Sequence, residues 1–208
     1  MCYSRGVFCL QASTDAKWMP AASKDLDAVL VDHAHCEMKA AQNALSLAVR
    51  HPENLKLVQA LAAVAKEEAD HFARVVSFLE KRGVPLGSPA VDPYVADLRK
   101  ITSEIGASPL GLLVDRLLIA CLIEARSCER FKLLLGSPAL AGEPELHAFY
   151  TELFAAEARH YRTFVDLAVE ASSGRREAVE ARLEALAAAE ATIALRLEGN
   201  ASRASMHG

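Results

Sequence analysis

The sequence predicts an all-α protein built as a bundle of long helices. Hydrophobic residues make up 52% of the 208 residues, yet there are only 10 Gly and 8 Pro. Ala, Leu, Glu and Arg, which suit helices better than strands, dominate the rest of the composition. A chain of this length can close one sizeable core, so we expect a single domain over residues 1–208.

Short stretches rich in Pro, Gly and Ser divide the chain into helices. Pro20 precedes the first helix, and the breaks that follow read "RHPEN", "KRGVPLGSPAVDP", "GSPALAGEP" and "SSGRR". The five helices predicted between these breaks cover, in order, residues about 24–50, 53–82, 109–135, 143–172 and 174–198.

The lengths of the connections predict the topology. Short links join the first helix to the second and the third to the fourth, so each of these pairs should form an antiparallel hairpin. The link over residues 83–108 is long enough to cross from one end of a bundle to the other. We therefore expect a four-helix bundle over residues about 24–172 with one long crossover, and an additional C-terminal helix packed on its outside.

Each of the four bundle helices places a glutamate among the apolar residues of its inward-facing stripe. The stretch "LVDRLLIACLIEARSCERF", for example, carries a glutamate at position 124. A buried carboxylate is costly unless it is neutralised, paired or bound to a metal, so these residues need partners. The four glutamates are Glu37, Glu68, Glu124 and Glu157.

The four glutamates also lie at matching depths. Glu37 precedes His51 by the same separation by which Glu68 follows Asn54, so the first hairpin brings both glutamates to one level. In the second hairpin, Glu124 precedes Gly136 by nearly the same separation by which Glu157 follows Pro144. Because every residue of an α-helix adds the same rise, equal separations from the turn mean equal depth in the bundle.

A histidine follows one glutamate in each hairpin at a spacing of three, as His71 after Glu68 and His160 after Glu157. Side chains three apart leave the same face of a helix and can converge on one point. Four carboxylates buried together would repel one another, whereas two divalent or trivalent cations would neutralise them. One E-x-x-H motif is a weak signal, but six ligand-type residues at one depth favour a two-metal site.

Three further polar residues are candidates for supporting this site. His33 lies one turn before Glu37 and is either a hydrogen-bonded polar residue of the stripe, a proton carrier or part of a pocket wall. Asp70 and Arg159 each precede a histidine and either form an ion pair behind the ligands or belong to solvated helix faces.

The whole pattern resembles the ferritin-like di-iron carboxylate proteins, which take one Glu from each of two helices and Glu-x-x-His from each of the other two. The resemblance implies two iron ions that react with O₂. Two functions are open to such a site: oxygenation of an organic substrate, or iron oxidation for storage or detoxification.

Four short sequence motifs point to a more specific family than the ligand pattern does. The stretches "DHAHCEMKAA", "KEEADHFARV", "IEARSCERF" and "EARHYRTFV" resemble the tRNA 2-methylthio-N6-isopentenyladenosine hydroxylase family over most of residues 20–200. The resemblance implies O₂-dependent hydroxylation of the isopentenyl group on a modified adenosine beside the tRNA anticodon, with electrons from an external donor. It also implies six iron ligands: Glu37, Glu68, His71, Glu124, Glu157 and His160.

The net charge of −4 lacks the overall basic excess of a general nucleic-acid binder, so tRNA binding would need a local basic patch. Lys81 and Arg82 stand at a helix C-terminus, where basic residues also occur because they complement the helix dipole. The candidates for tRNA contact are Lys81, Arg82, Arg99, Lys100, Arg175 and Arg176.

The sequence also bears on cellular location. The N-terminus has no apolar signal core, and no run of about 18 uncharged apolar residues predicts a membrane span. The five cysteines form no C-x-x-C pair and are odd in number, which favours reduced thiols. We expect a cytoplasmic protein without membrane partners, present as a monomer or small oligomer.

Overall fold

Four long helices form the bundle in a computed structural model of the chain, which describes residues 7–91, 93–106, 108–198 and 206. These residues contain seven α-helices, one 3₁₀ turn at Pro138–Leu140 and no strand, which confirms the all-α prediction. The α-helices are α1 (Trp18–Lys24), α2 (Leu26–Val49), α3 (Leu55–Arg82), α4 (Pro93–Glu104), α5 (Leu112–Leu135), α6 (Pro144–Ala171) and α7 (Arg176–Glu198).

The ends of helix α3 have local causes. The side chain of Asn54 accepts a hydrogen bond from the backbone N–H of Leu57 at 3.0 Å and so caps the start of α3. Gly83 ends α3 with a φ of 66°, a left-handed conformation that glycine adopts without steric cost. These signals set the bounds of α3 to within about two residues of the prediction.

Helix α2 packs along α3 and α5 packs along α6, as the short links predict. The interior of the bundle holds two apolar clusters at different depths. One includes Leu47, Leu61 and Phe164, and the other includes Leu30 and Val75. The six predicted ligands occupy the level between these clusters, which shield them from water on both sides.

The crossover is partly helical, although the sequence predicts no helix over residues 83–108. Pro93 is the first residue of α4, a position that tolerates proline because the N–H there has no intrahelical partner. Tyr94, Leu98 and Ile101 are buried and lie on one face of α4, which packs against α7. Helix α7 in turn packs on the outside of the bundle, as predicted, where it contacts α5 and α6.

A buried arginine joins the outer helices to the N-terminal segment. Arg126 and Glu190 are both fully buried, and their Nη2 and Oε1 atoms lie 2.6 Å apart. Arg126 also donates to the backbone oxygen of Ala12 at 3.1 Å, and the hydroxyl of Tyr94 donates to Glu190 at 2.9 Å. This network links α4, α5, α7 and the segment before α1.

A helix that crosses a bilayer must be both long and strongly apolar. Among the described helices, none combines the length and the apolar character that such a crossing requires.

Candidate metal centre

The six ligand-type residues predicted from the sequence lie together in the middle of the bundle. Each is at most 7% exposed. Their donor atoms form two overlapping groups, and within each group the atoms lie within 4.8 Å of one another. The first group is Glu37, Glu68, His71 and Glu157, and the second is Glu68, Glu124, Glu157 and His160.

Two of the carboxylates belong to both groups. Glu68 and Glu157 are shared, whereas Glu37 and His71 belong only to the first group and Glu124 and His160 only to the second. A carboxylate has two oxygens and can contact two cations at once. The arrangement therefore fits two adjacent metal positions with two carboxylates between them.

Both histidines present the same ring nitrogen to the carboxylates. Nδ1 of His71 lies 3.6 Å from Glu37 Oε2, 3.5 Å from Glu68 Oε2 and 3.7 Å from Glu157 Oε1. Nδ1 of His160 lies 2.8 Å from Glu68 Oε1 and 3.3 Å from Glu157 Oε2. Nδ1 is thus the ligand atom that each histidine offers.

Several of these polar atoms are buried without a hydrogen bond. Within the described residues, Glu68 Oε1, His71 Nδ1 and Glu157 Oε1 have no hydrogen-bond partner. The approach of His160 Nδ1 to Glu68 Oε1 lacks hydrogen-bond geometry, so it is a charge contact only. Leaving a buried polar atom unpaired costs about 1–3 kcal/mol, and a bound cation would satisfy all three atoms. The residues present therefore fit a two-metal centre.

The protonation of the cluster shows how its negative charge is offset without metal. Burial lowers the pKa of each histidine, but the close contacts with the negatively charged carboxylates outweigh burial and raise it, to about 10 for His71 and about 11 for His160. Burial, and then the charge of Glu37, raise the pKa of Glu68. Burial, and then the charge of Glu157, raise the pKa of Glu124 well above its usual range. Without metal, protons on these side chains therefore offset the negative charge of the cluster.

Glu37 behaves differently because of His33. Burial raises the pKa of Glu37, but the charge and hydrogen bonds around it outweigh burial, and its pKa falls to about 2. His33 Nε2 lies 2.5 Å from Glu37 Oε1, and His33 Nδ1 lies 3.4 Å from the hydroxyl of Tyr150. Of the roles that the sequence left open for His33, the structure places it in a hydrogen bond to a candidate ligand.

The outer contacts of His160 involve a residue that the sequence analysis missed. Glu67 Oε2 lies 3.3 Å from His160 Nε2 and 3.2 Å from Arg159 Nη2. The sequence predicts either an ion pair between Arg159 and Asp70 or two solvated helix faces, and in the structure Arg159 contacts Glu67 and Asp70 is exposed. The sequence feature that could have identified Glu67 is its position beside Glu68, on the part of α3 that faces α6.

The six basic candidates for tRNA contact do not form one patch. The ion pairs Lys56–Glu170 and Lys81–Glu145 show that α3 and α6 run antiparallel, so the C-terminus of α3 and the C-terminus of α6 lie at opposite ends of the bundle. Lys81 and Arg82 belong to the first end, and Arg175 and Arg176 follow α6 at the other. Arg99 and Lys100 are exposed on α4.

Most of these basic side chains have acidic partners. Lys81 lies 2.7 Å from Glu145, and Arg82 lies 2.5 Å from Asp27 and 2.7 Å from Glu143. The remaining contacts are Lys100 to Asp97 at 2.8 Å, Arg176 to Asp166 at 3.3 Å and Arg175 to the backbone oxygen of Ser172 at 2.8 Å.

Fold and cluster together define a class of protein. The chain forms a four-helix bundle with one long crossover, and its cluster takes one Glu from each of two helices and Glu-x-x-His from each of the other two. This combination defines a ferritin-like protein of the carboxylate type, whose members hold two metal ions in such a cluster. The chain belongs, more narrowly, to the tRNA-(MS[2]IO[6]A)-hydroxylase (MiaE) family, whose model matches residues 4–207.

Two relatives carry the same description, tRNA 2-(methylsulfanyl)-N(6)-isopentenyladenosine(37) hydroxylase. The protein from Pseudomonas putida is 39% identical over 159 residues, which cover 76% of this chain and 74% of the relative. The protein from Salmonella typhimurium is 27% identical, and the match covers 89% of this chain and 83% of the relative.

The fold is also similar to a solved structure, that of Protein 43 with aldehyde deformylating oxygenase activity from Synechococcus. The TM-score is 0.84 at 36% sequence identity, and the match covers 97% of this chain and 96% of that one. This similarity confirms the predicted ferritin-like architecture.

Proposed function

We propose that this chain is a di-iron, O₂-dependent monooxygenase that hydroxylates the isopentenyl group of 2-methylthio-N6-isopentenyladenosine in tRNA. The observation that carries the proposal is the pair of overlapping donor groups that share Glu68 and Glu157, in a chain that belongs to the MiaE family. Electrons would come from an external donor, and a tRNA substrate supports a cytoplasmic location.

The overall reaction has a simple balance. One oxygen atom of O₂ enters a C–H bond of the isopentenyl group, and the other leaves as water after two electrons and two protons are supplied. Two iron ions, when bound by Glu37, Glu68, His71, Glu124, Glu157 and His160, would supply the reduction of O₂ and the oxidising power for this insertion.

The chain's own residues hold and shield the site. The apolar clusters above and below the ligand level exclude water, which keeps reducing power from being lost in side reactions. His33 donates a hydrogen bond to Glu37 and so fixes the orientation of that carboxylate.

The test is a single-turnover assay on a defined substrate. Reconstituted protein, O₂ and a reductant are incubated with tRNA that carries the isopentenyl modification, and the digested nucleosides are weighed by mass spectrometry. A gain of one oxygen atom is the expected result, and Glu68→Ala should abolish it. An unchanged nucleoside alongside rapid O₂ consumption by ferrous iron alone would favour the iron oxidase instead.

A further inference from the structure

The two candidate histidine ligands differ in what lies behind them. His71 contacts Glu37, Glu68 and Glu157, all through Nδ1 and all within the cluster. His160 directs Nδ1 to the cluster in the same way, but its Nε2 lies 3.3 Å from Glu67 Oε2. The cluster therefore has a carboxylate outside it on the His160 side.

This contact determines which nitrogen of His160 carries the proton. A neutral imidazole that binds a metal through Nδ1 must carry its hydrogen on Nε2, from which it can donate to Glu67. A carboxylate that accepts this hydrogen bond fixes the ring orientation and makes the imidazole a stronger donor to the metal. Arg159, 3.2 Å from the same Glu67 oxygen, holds the carboxylate in place.

We propose that Glu67 is a positioning residue for His160 and that it makes the two metal positions inequivalent. The position that uses Glu124 and His160 then binds its ion more tightly than the position that uses Glu37 and His71. The inference rests on the proposed function, because it requires the two-metal centre.

A contact in the first group of ligands also predicts weaker metal binding at the position that uses Glu37 and His71. His33 lies 2.5 Å from Glu37 Oε1, and a hydrogen bond donated to a carboxylate withdraws electron density from the metal that the carboxylate binds. In the first position, His33 donates a hydrogen bond to Glu37, which belongs to that position alone. In the second position, Glu67 accepts a hydrogen bond from His160. Both contacts weaken the first position relative to the second.

The size of the effect follows from the exposure of Glu67. Removing an outer partner of a metal-binding histidine typically costs about 10–100-fold in metal affinity. The side chain of Glu67 is 46% exposed, so water partly screens it, and the lower end of that range, about tenfold, is expected.

The experiment titrates the full metal-free chain with Co²⁺ in the presence of a competing chelator and follows binding by calorimetry. Wild-type protein should bind two ions in two distinguishable steps. Glu67→Ala should weaken the tighter step about tenfold and leave the weaker step unchanged, whereas Glu67→Gln, which keeps a hydrogen-bond acceptor but loses the charge, should have a smaller effect. Asp70→Ala is the matched control, because it removes an exposed carboxylate one turn further along α3, and it should change neither step.

A second measurement reports the hydrogen bond itself. In the Co²⁺-loaded protein each ligated imidazole gives a shifted, exchangeable N–H signal in the NMR spectrum. The signal of His160 should exchange slowly with water in wild type and faster in Glu67→Ala, which a loss of general stability would not produce selectively.

Two results would overturn the inference alone. One is Glu67→Ala protein with both steps and both N–H signals as in wild type, and the other is an equal loss in Asp70→Ala, which would reduce the effect to general electrostatics. Wild-type protein that binds no metal would instead overturn the two-metal centre, and with it this proposal.

Discussion

Glu68 on α3 and Glu157 on α6 stand between the two groups of donor atoms, and each contributes an oxygen to both groups. Glu37 and Glu124 each contribute to one group only. The cluster therefore has two kinds of carboxylate, and they should respond differently to removal.

The first prediction compares loss of a carboxylate that belongs to both donor groups with loss of one that belongs to a single group. Glu68→Ala should reduce iron to well below one ion per chain, because it removes a ligand from both positions, while Glu37→Ala or Glu124→Ala should leave about one of two ions bound. Iron is measured after anaerobic reconstitution and desalting, with Asp70→Ala as a surface control. Equal occupancy in all three ligand variants would contradict the shared arrangement.

The second prediction concerns the stability of the metal-free protein as a function of pH. The folded-state pKa of His71 is about 10 and that of His160 about 11, both above the ordinary value of 6.5. Groups with a raised pKa stabilise the folded state fully below the ordinary value and lose that contribution as pH rises through the folded value. The thermal midpoint of the metal-free protein should therefore fall between about pH 6.5 and pH 10.

Metal-loaded protein is the control for this pH dependence. Bound cations replace the protons of the cluster, so the midpoint of the loaded protein should change much less over the same range. A metal-free midpoint that is constant or rises towards pH 10 would show that His71 and His160 do not hold their protons in the folded state.

The third prediction tests the buried network around Arg126. Glu190→Gln removes one of the two buried carboxylates that pair with the fully buried guanidinium of Arg126, and Glu129 remains as the other. Breaking a buried pair costs about 3–5 kcal/mol, and the remaining pair with Glu129 puts the expected loss at the lower end of that range. Unfolding by urea measures the loss. Glu145→Gln, which removes the partner of Lys81 in an exposed pair, should leave the urea midpoint near that of wild type, and similar losses in the two variants would contradict the role of burial.

Much of the bundle was predictable because its determinants are local. The periodic apolar stripe fixes which face of each helix turns inward, and the short hairpin links fix the relative depth of Glu37 and Glu68, and of Glu124 and Glu157. The break residues placed the long helices to within about three residues. The ligand set remains a prediction until metal is measured, although all six side chains lie at the expected level.

The features that sequence reasoning missed depend on contacts between distant segments. Helix α4 has a short stripe, Tyr94, Leu98 and Ile101, and it is buried because α7 and α5 pack against it. The pairing of Arg126 with Glu190 depends on the register of α7 against α5, which no local pattern specifies. Glu67 meets His160 across two helices for the same reason.

The fourth prediction separates a hydroxylase from an iron store. A storage protein must form a hollow multi-subunit cage and accept many iron ions per chain, whereas the proposed hydroxylase needs only its two. We expect iron uptake under O₂ to stop once the site is full and the protein to run as a monomer or small oligomer on size-exclusion chromatography. A particle with the mass of a multi-subunit cage that holds hundreds of iron ions would instead identify the protein as an iron store.

The last prediction locates the tRNA surface. Lys100 and Arg196 both pair with one carboxylate, Asp97, and Arg99 is exposed on the same helix as Lys100, so these four residues of α4 and α7 have an excess of positive charge. Around Lys81 and Arg82 the balance is reversed, because their partners are three carboxylates.

Phosphate contacts dominate the affinity of proteins for nucleic acids and weaken as salt rises. Changing Arg99 and Lys100 together to Glu should therefore weaken tRNA binding about tenfold at low salt and flatten its salt dependence. The iron content should stay at the wild-type value, because neither residue contacts the ligand cluster. Binding is measured by fluorescence anisotropy with labelled tRNA at several salt concentrations, and the double change of Lys81 and Arg82 to Gln is the comparison. A larger loss from that second pair would move the tRNA surface to the C-terminal end of α3.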